Sequence, residues 1–443
     1  MSGMPDVPER SVAVERPPGR SGSERTTNPV PSTSGRPPAD RPTVTMDDFD
    51  YDLPESAIAQ HPVEPRSAAR LLVAPDVAGG SHARAPGDST GAVDTTVGDL
   101  PAFLRPGDLL VVNETRVLPA RLHLVKASGG RAEVLLLEPT GDGPGRWEAL
   151  VRPGRRLREG TLLWEGVDGG TGSGGDTGSG GDTGSDRGTG SGGDTGSDGG
   201  TGSDGVRRVG PVVEIGPTVP GDDPDGRRIV HLLDPSVVDR AGEMPLPPYI
   251  RAPLADPDRY QTVFAADRAP GDRSAAAPTA GLHLTPDVLA VLDRSGVTVA
   301  TVDLAIGLDT FRPVTAATPG EHVIHTERYT VPESTLEACE RADRVVAVGT
   351  TAVRALESAA ATGRLSGRTD LFIHGEFRFR LVDVLLTNFH LPRSSLLLLV
   401  EAFYGPGWRA LYDTALGRGY RFLSFGDAML VGRDGSRTAG APR

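Results

Sequence analysis

Four of the nine histidines lie in segments whose residue types could support catalysis or ligand binding. They are His283, His322, His325 and His390. The first ends the turn-rich segment Ala277-Pro-Thr-Ala-Gly-Leu-His, and the last lies in Thr387-Asn-Phe-His-Leu-Pro. Imidazole is a common general acid or base near neutral pH. These positions predict a polar catalytic or substrate-binding cluster, with structural hydrogen bonding as the alternative.

The segment Glu321-His-Val-Ile-His-Thr-Glu also permits a metal site. His322, His325 and Glu327 carry imidazole and carboxylate groups, which are zinc ligands. Their spacing is not a helical i, i+4 pair, and no fourth ligand is evident. The single cysteine, Cys339, excludes an intramolecular disulfide and a multi-cysteine site, and we expect it to be an ordinary helix residue. Zinc binding is therefore the weaker interpretation.

The segment Arg344-Val-Val-Ala-Val-Gly-Thr-Thr-Ala-Val-Arg predicts a buried strand that runs into a helix. Thr350 and Thr351 are candidate N-caps after Gly349. Free amides at a helix start favour an anion, and Arg354 could add a bidentate donor. The alternative is a capped strand–helix turn without a ligand. The pattern is neither a P-loop nor a Gly-x-Gly-x-x-Gly fingerprint.

The run Tyr420-Arg-Phe-Leu-Ser-Phe-Gly-Asp-Ala-Met combines aromatic residues with one acid. Such an aromatic stripe is more typical of a hydrophobic core than of a cofactor cradle. Asp427 is either a turn residue or a general base.

Two patterns describe the elements that must position these residues. After a short buried run at 109–112, residues up to 234 form short alternating or β-branched segments separated by turn signals. These segments are 121–126, 132–138, 147–152, 161–164, 209–215 and 228–233. Six short strands without helices predict a small antiparallel β-barrel.

Strands and helices alternate from residue 285 onward, which predicts an α/β main domain. The predicted helices are 286–294, 333–342, 352–361 and 407–418, and the predicted strands are 298–304, 345–348, 381–386 and 396–399. Residues 46–119 and 236–432 would form the α/β domain, with the β-barrel of residues 120–235 inserted into it. The turn-rich residues 74–98 predict a surface loop.

Glycine (58) and proline (39) are concentrated in segments that cannot bury a core. We expect residues 1–45 to be a disordered extension and 433–443 a flexible tail. Residues 166–205 repeat Gly, Ser, Asp and Thr without an apolar residue in each repeat. This composition favours a flexible loop within the barrel over a calcium-binding β-roll.

The net charge of −13 does not favour a nucleic-acid partner, and the core remains acidic without the low-complexity segments. Residues 116–165 are the exception, because basic residues outnumber acidic ones there. That island could contact RNA phosphates, or it could be a solvated hairpin. No apolar run is long enough for a transmembrane helix and no signal peptide is evident, so we expect a cytoplasmic protein without a membrane partner.

Taken in order, these motifs resemble the S-adenosylmethionine:tRNA ribosyltransferase-isomerase family of queuosine biosynthesis. The resemblance runs from about Asp48 to Val431. Its further markers are Asp48-Phe-Asp-Tyr-Asp-Leu-Pro-Glu, Pro65-Arg-Ser, Asn113-Glu-Thr-Arg-Val-Leu-Pro-Ala-Arg-Leu, Lys126-Ala-Ser-Gly-Gly, Met244-Pro-Leu-Pro-Pro-Tyr-Ile, Tyr260-Gln-Thr-Val and Phe425-Gly-Asp-Ala-Met. Each motif alone is weak evidence for the family, but so many motifs in the same order identify it specifically.

The resemblance implies a fold and a reaction. The fold is an α/β domain with an inserted β-barrel. The reaction transfers and isomerises the ribosyl moiety of S-adenosylmethionine onto the 7-aminomethyl-7-deazaguanine at the wobble position of a tRNA with a GUN anticodon. Adenine and methionine leave and epoxyqueuosine-tRNA forms. S-adenosylmethionine is a co-substrate, and neither a separate cofactor nor a metal is implied.

The resemblance also implies site residues at the matching motifs. The base that removes a proton beside the sulfonium, and the proton donor to adenine, are expected among His283, Glu327, His390 and Asp427. The expected substrate-binding residues are Arg116, Thr279, Gly281, Thr310, His322, His325, Gly349, Thr350, Thr351, Arg354 and Asn388. Of these, Gly349, Thr350, Thr351 and Arg354 would hold the methionine carboxylate.

The chain departs from the family pattern in one segment. Where the family commonly has Leu-His-Val-Gly-x-Gly-Thr-Phe, this sequence has Leu304-Ala-Ile-Gly-Leu-Asp-Thr-Phe, so Ala305 replaces a histidine and Asp309 a glycine. We expect an active enzyme. The alternatives are a non-catalytic tRNA-binding relative and a metal-dependent hydrolase.

Overall fold

The computed structural model describes residues 44–78, 90–154, 157–166, 210–219, 227–267, 269, 271, 273–307 and 313–434. All of them belong to one compact unit. The segments 1–45, 166–205 and 433–443, for which disorder is expected, lie almost entirely outside the described residues, as do Asp309 and Thr310.

The larger of two sheets is mixed and, among the described residues, has nine strands. Its strands are β1 (Arg70–Val73), β2 (Val93–Thr96), β3 (Asp108–Asn113), β11 (Thr298–Leu304), β12 (Glu327–Thr330), β13 (Arg344–Val348), β14 (Ser366–Thr369), β15 (Val384–Asn388) and β16 (Ala428–Gly432). Their spatial order is β14-β12-β11-β3-β13-β15-β16-β1-β2. The four central strands β11, β3, β13 and β15 are parallel, and β16 is antiparallel to β15.

Seven α-helices occur in the described part of the chain, and most of them pack on this sheet. They are α1 (Pro75–Ala78), α2 (Val237–Ala241), α3 (Pro286–Arg294), α4 (Glu333–Arg341), α5 (Thr350–Thr362), α6 (Ser395–Tyr404) and α7 (Trp408–Gly417). The start of α3 is set by Thr285, whose side chain accepts a hydrogen bond from Val288 N, with Pro286 in the first turn.

The central strands are buried on both faces, which explains their continuous apolar sequences. In β3, Leu109 and Val111 pack into one hydrophobic cluster, while Leu110 and Val112 pack into the cluster on the opposite face. The aromatic run near residue 420 contributes Tyr420, Phe422 and Phe425 to the buried core, as its composition predicts.

The second sheet closes into the antiparallel β-barrel predicted from the sequence. Its strands are β4 (Arg121–Lys126), β5 (Arg131–Pro139), β6 (Arg146–Arg152), β7 (Leu162–Glu165), β8 (Val213–Thr218), β9 (Arg227–Leu232) and the short β10 (Gly242–Glu243). Six of these described strands form the closed cycle β4-β5-β6-β9-β8-β7, because β7 pairs with β4, and β10 adds to β4 from outside. The fold class is therefore confirmed as an α/β domain with an inserted barrel.

Two local predictions are wrong. Residues 396–399 were expected to be a strand, but they lie inside α6, which starts where the Ser394 side chain accepts a hydrogen bond from Leu397 N. A short leucine run has no period that separates a buried helix from a buried strand. Residues 74–98 are also not entirely loop, because α1 and β2 lie within them.

Candidate active site

The predicted site residues gather where the central parallel strands end. The strands β3, β11, β13 and β15 end at Asn113, Leu304, Val348 and Asn388, respectively. Because parallel strands present their carboxyl ends at one edge, the segments that follow them lie side by side. Two cavities open along this edge, and both contact Ile306 and Leu396.

Cavity 1 is the smaller of the two, at about 40 Å³. It is lined by residues of the motifs identified in the sequence, among them Pro278, Thr279, Gly349, Thr350, Thr351, Asn388 and His390. Three sequence-distant segments therefore meet at one small, partly polar cavity, as expected for a substrate-binding site.

The wall of cavity 1 includes the first turn of α5. Gly349 is the N-cap at φ +87°, a left-handed conformation that favours glycine, and it makes no side-chain cap. The prediction that Thr350 and Thr351 are N-caps is therefore wrong: they are the first two helical residues, because the turn after β13 requires glycine at the cap. Thr351 Oγ1 accepts a hydrogen bond from Asn113 Nδ2 at 3.2 Å.

Cavity 2 is much larger, about 320 Å³, and lies between the α/β domain and the barrel. The α/β domain contributes Ala305, His322, His325, Glu327, Arg328, Arg354 and Phe372, and the barrel contributes Leu137, Glu138, Pro139 and Arg227. Arg368 joins the two domains beside it through a bidentate ion pair with Glu138, with N–O distances of 2.8 and 3.1 Å. The cavity has the size and mixed lining of a small-molecule site.

A buried ion pair connects Glu327 and Arg354 on the wall of cavity 2. Gly307 N donates a hydrogen bond to Glu327 Oε1 at 3.0 Å, and Arg354 Nε donates to the Leu371 carbonyl at 3.1 Å. The Glu327 side chain is therefore held in place at the cavity wall by Gly307 N and Arg354. Arg354 is thereby separated from Gly349, Thr350 and Thr351, which line cavity 1.

His322 and His325 line cavity 2 together with Glu327. Partial burial, with a smaller contribution from His325, lowers the pKa of His322. The His322 ring lies edge-on to Phe372, with 5.4 Å between ring centroids. His322 is consequently a neutral imidazole at neutral pH, able to accept a proton or a hydrogen bond.

His390 lies at cavity 1 and is held from three sides. Its Nε2 is 3.0 Å from Thr387 Oγ1, its backbone N donates to the Tyr412 hydroxyl at 3.1 Å, and its carbonyl accepts from the Tyr51 hydroxyl. Burial lowers its pKa to about 3, so the imidazole is neutral.

His283 and Asp427 lie behind cavity 1 and are joined to it by Asn388. Asn388 Nδ2 is 3.1 Å from His283 Nε2 and 3.4 Å from the Asp427 carbonyl oxygen. The Asp427 carboxylate accepts hydrogen bonds from Arg70 N and Arg421 N, at 3.0 and 2.8 Å. In the described structure that carboxylate therefore ties β1 to the segment before β16 and does not line cavity 1 or cavity 2.

The other predicted substrate-binding residues have different environments. Gly281 is buried, and a Cβ atom there would stand 2.7 Å from the Phe264 ring, so the position requires glycine. The Arg116 carbonyl accepts a hydrogen bond from Ser274 N at 2.7 Å, and within the described structure Arg116 lines neither cavity. Thr310 lies outside the described residues.

Sequence reasoning missed several residues at the two cavities. Arg328, Phe372 and Glu138 line cavity 2, and Tyr249 and Ser424 line cavity 1. The hydroxyls of Tyr249 and Ser424 are 2.7 Å apart. The motif Met244-Pro-Leu-Pro-Pro-Tyr-Ile contains Tyr249 and the run that starts at Tyr420 contains Ser424, whereas the other three lie in segments without a local signal.

The zinc interpretation gains no support from the structure. Glu327, one of its three ligands, is bound to Arg354 instead. Within the described ranges, no three His, Cys, Asp or Glu side chains are grouped so that they could hold a metal ion. Nor does any helix of those ranges have the length and apolarity to cross a membrane.

Comparison with known proteins identifies the family. The profile of a family described as queuosine biosynthesis protein matches residues 46–431. The chain belongs to this family. It is 43% identical to the S-adenosylmethionine:tRNA ribosyltransferase-isomerase of Rubrobacter xylanophilus over 387 residues, covering 87% of this chain and 97% of that protein. The protein of the same name from Anaeromyxobacter sp. is 44% identical over 405 residues, covering 88% of this chain and 99% of that protein.

The resemblance inferred from the sequence is thus confirmed, and with it the assignment to an enzyme family of ribosyltransferase-isomerases. The curated relative from Moorella thermoacetica bears the same name at 43% identity, with 87% and 99% coverage. A solved S-adenosylmethionine tRNA ribosyltransferase from Thermotoga maritima is 32% identical, with a TM-score of 0.42, covering 86% of this chain and 99% of that one.

Proposed function

We propose that the chain transfers and isomerises the ribosyl moiety of S-adenosylmethionine onto 7-aminomethyl-7-deazaguanine at the wobble position of a GUN-anticodon tRNA in the cytoplasm. The products would be epoxyqueuosine-tRNA, adenine and methionine. Family membership supports the reaction class. The observation that carries the proposal is the pair of adjoining cavities at the carboxyl edge of the sheet, lined by the residues of the family motifs.

The two cavities would bind different parts of S-adenosylmethionine, because they differ in size and in the chemistry of their walls. Cavity 2, at about 320 Å³, is within the range of small-molecule sites and can take the adenosine part. Cavity 1 is the smaller, and its lining suits the amino-acid end. There the α5 start, with Gly349, Thr350 and Thr351, can bind the methionine carboxylate. The sulfonium would then lie between the cavities, near Ile306 and Leu396.

The chemistry begins with loss of a proton from the carbon beside the sulfonium, because the positive sulfur acidifies that carbon. The resulting ylide expels adenine, which takes up a proton, and the aminomethyl group of the tRNA base then attacks the sugar-derived carbon skeleton. Methionine leaves as the sulfur–carbon bond breaks. The chain must supply a proton acceptor, a proton donor and negative charge near the sulfonium.

Glu327 is the best-placed carboxylate for this task. It lines cavity 2 and is held there by Arg354 and Gly307 N, so it can stabilise the sulfonium electrostatically and accept the proton. The neutral His322 imidazole on the same wall is a second proton acceptor. His390 can serve at cavity 1, while His283 and Asp427 support the site from behind.

The test is adenine release, measured by chromatography. Purified protein is incubated with S-adenosylmethionine and a GUN-anticodon tRNA that carries the 7-deazaguanine precursor. We expect adenine and methionine in equal amounts, with none formed when the tRNA carries guanine at the wobble position. Absence of adenine with tRNA still bound would establish the non-catalytic alternative instead. Adenine release that requires stoichiometric metal in the protein would contradict the metal-free mechanism.

A further inference from the structure

A chain of three polar side chains leads from cavity 1 into the protein. The Thr279 hydroxyl donates a hydrogen bond to Asn388 Oδ1 at 2.9 Å, and Asn388 Nδ2 is 3.1 Å from His283 Nε2. Thr279 and Asn388 both line the cavity, and Asn388 and His283 are almost fully buried. Buried polar groups of this kind have a fixed hydrogen-bond direction, because each donor needs an acceptor.

A carbonyl group sets the direction of the hydrogen bonds between these three side chains. Asn388 Nδ2 also lies 3.4 Å from the Asp427 carbonyl oxygen, which can only accept a hydrogen bond. The amide nitrogen of Asn388 must therefore face Asp427 and His283, and the amide oxygen must face Thr279. Consequently His283 Nε2 accepts a hydrogen bond and the His283 proton resides on Nδ1.

His283 is suited to this acceptor role because it is neutral. Burial, with smaller contributions from Arg421, Arg66 and Arg259 and against the opposing effect of Asp427, lowers the pKa of His283 to about 4. A neutral imidazole keeps Nε2 free of a proton throughout the neutral range. If His283 instead acted as the catalytic base through Nε2, it would have to displace the Asn388 donor.

These hydrogen bonds determine the role of the Thr279 hydroxyl in cavity 1. Its single hydroxyl proton is given to Asn388 Oδ1, so the oxygen offers only lone pairs to a ligand in cavity 1. Thr279 precedes Ala280, which packs against Gly349 at the start of α5: a Cβ at Gly349 would stand 3.5 Å from Ala280 Cβ. Cavity 1 thus presents an acceptor at Thr279 beside the amides of the α5 start.

We infer that Thr279 is a specificity-determining acceptor for the α-ammonium group of the substrate's amino-acid part, and that Asn388 and His283 are positioning residues that fix this role. The inference rests on the proposed function. The neighbouring amides of the α5 start decide between the two N–H donors of S-adenosylmethionine, because only the α-ammonium group has a carboxylate beside it for those amides to bind. An acceptor and a group of amides side by side complement the opposite charges of an α-amino acid.

The test compares two substrate-like probes, S-adenosylhomocysteine and 5′-methylthioadenosine, by titration calorimetry. Both carry adenosine and a thioether, but only the first carries the amino-acid end. Thr279→Val should lower the affinity for S-adenosylhomocysteine about tenfold or more, which is the effect of losing a hydrogen bond to a charged group. The same variant should bind methylthioadenosine with an affinity within about twofold of wild type. Thr279→Ser should bind both probes as the wild type does.

The positioning role predicts rescue by a conservative variant. His283→Gln retains a side-chain acceptor near Nε2 and should keep S-adenosylhomocysteine affinity, whereas His283→Leu should weaken it like Thr279→Val. Unchanged methylthioadenosine binding in both variants reports an intact fold.

The inference is overturned if Thr279→Val weakens both probes equally or neither, or if His283→Gln and His283→Leu have the same affinity for S-adenosylhomocysteine. A wild-type protein that binds neither probe and releases no adenine would refute the proposed function instead. The two failures are thus distinguishable, one in the variants alone and the other in the wild type.

Discussion

The Glu327 carboxylate and the Arg354 guanidinium form a buried ion pair on the wall of cavity 2, where the α/β domain meets the barrel. Arg354 belongs to α5 and Glu327 to β12, so the pair connects the helix that starts at cavity 1 to the wall of cavity 2. Because both groups are buried, removing either one would leave the other at the cavity wall without its counter-ion.

Glu327→Gln should abolish most of the activity while keeping the shape of the side chain. We expect adenine release to fall at least 100-fold, because the sulfonium loses its nearby negative charge. The free energy of unfolding should fall by about 3 kcal/mol, since Arg354 is left buried without its partner. Chromatographic adenine assays and urea unfolding measure the two effects.

The matched control is Glu340→Gln, at an exposed position of α4. It should leave both adenine release and unfolding unchanged. Adenine release by Glu327→Gln within threefold of wild type would refute the role of this carboxylate.

The two buried histidines predict a loss of stability in mild acid. Burial lowers the pKa of His283 to about 4 and that of His390 to about 3, below the value of 6.5 expected in the unfolded chain. Between these values only the unfolded state binds the protons, so stability falls as the pH drops below 6.5. Each histidine should cost about 2 kcal/mol between pH 7 and pH 5.

Urea unfolding at pH 7 and pH 5 measures this loss. His283→Gln and His390→Gln should each remove about half of the pH dependence, while His61→Gln, at an exposed position, should leave it unchanged. Equal unfolding free energies of the wild type at the two pH values would contradict the prediction.

The fold class could be predicted from the sequence because its two domains differ in local pattern. Short alternating strands predicted the barrel, and alternating strands and helices predicted the α/β domain. The outer strands β1, β2, β12, β14 and β16 were not predicted, since they are four or five residues long and gain their order from neighbours distant in sequence. The Leu396 run was misassigned because continuous apolar sequence fits a buried helix and a buried strand equally well.

The site could be predicted only as a set of motifs. The motifs with His283, Gly349 and Asn388 do meet, because they follow or adjoin the ends of neighbouring strands. Arg354 was grouped with Gly349 from sequence proximity, yet a helix projects residues of one turn in different directions, and Arg354 faces cavity 2 instead. The barrel residues at cavity 2 could not be predicted, since their position depends on how the two domains pack.

The basic residues of the barrel predict a tRNA contact that is independent of cavities 1 and 2. Arg131 and Arg152 are exposed on the paired strands β5 and β6, whereas Arg121 and Arg227 are neutralised by ion pairs with Glu133 and Glu148. Arg131→Glu combined with Arg152→Glu should weaken tRNA binding about tenfold or more and reduce its salt dependence, because phosphate contacts are lost.

Filter binding at several salt concentrations measures this effect, and calorimetry with S-adenosylhomocysteine should show no change. Arg294→Glu combined with Arg341→Glu, at exposed positions that end α3 and α4, is the control with the same change in net charge. If that control weakened tRNA binding as much as the barrel variant, the contact would be non-specific attraction and not a barrel surface.

The barrel should fold without the low-complexity segment. Strands β7 and β8, which flank it, pair directly, with Leu162 opposite Glu214 and Leu163 opposite Val213. Replacing residues 167–209 by a six-residue Gly/Ser linker keeps this pairing and shortens the loop to be closed. Because the entropy of loop closure grows with length, we expect the variant to be more stable by about 1–2 kcal/mol. Urea unfolding measures the gain, adenine release should be unchanged, and a loss of stability would show that the segment contributes contacts to the folded barrel.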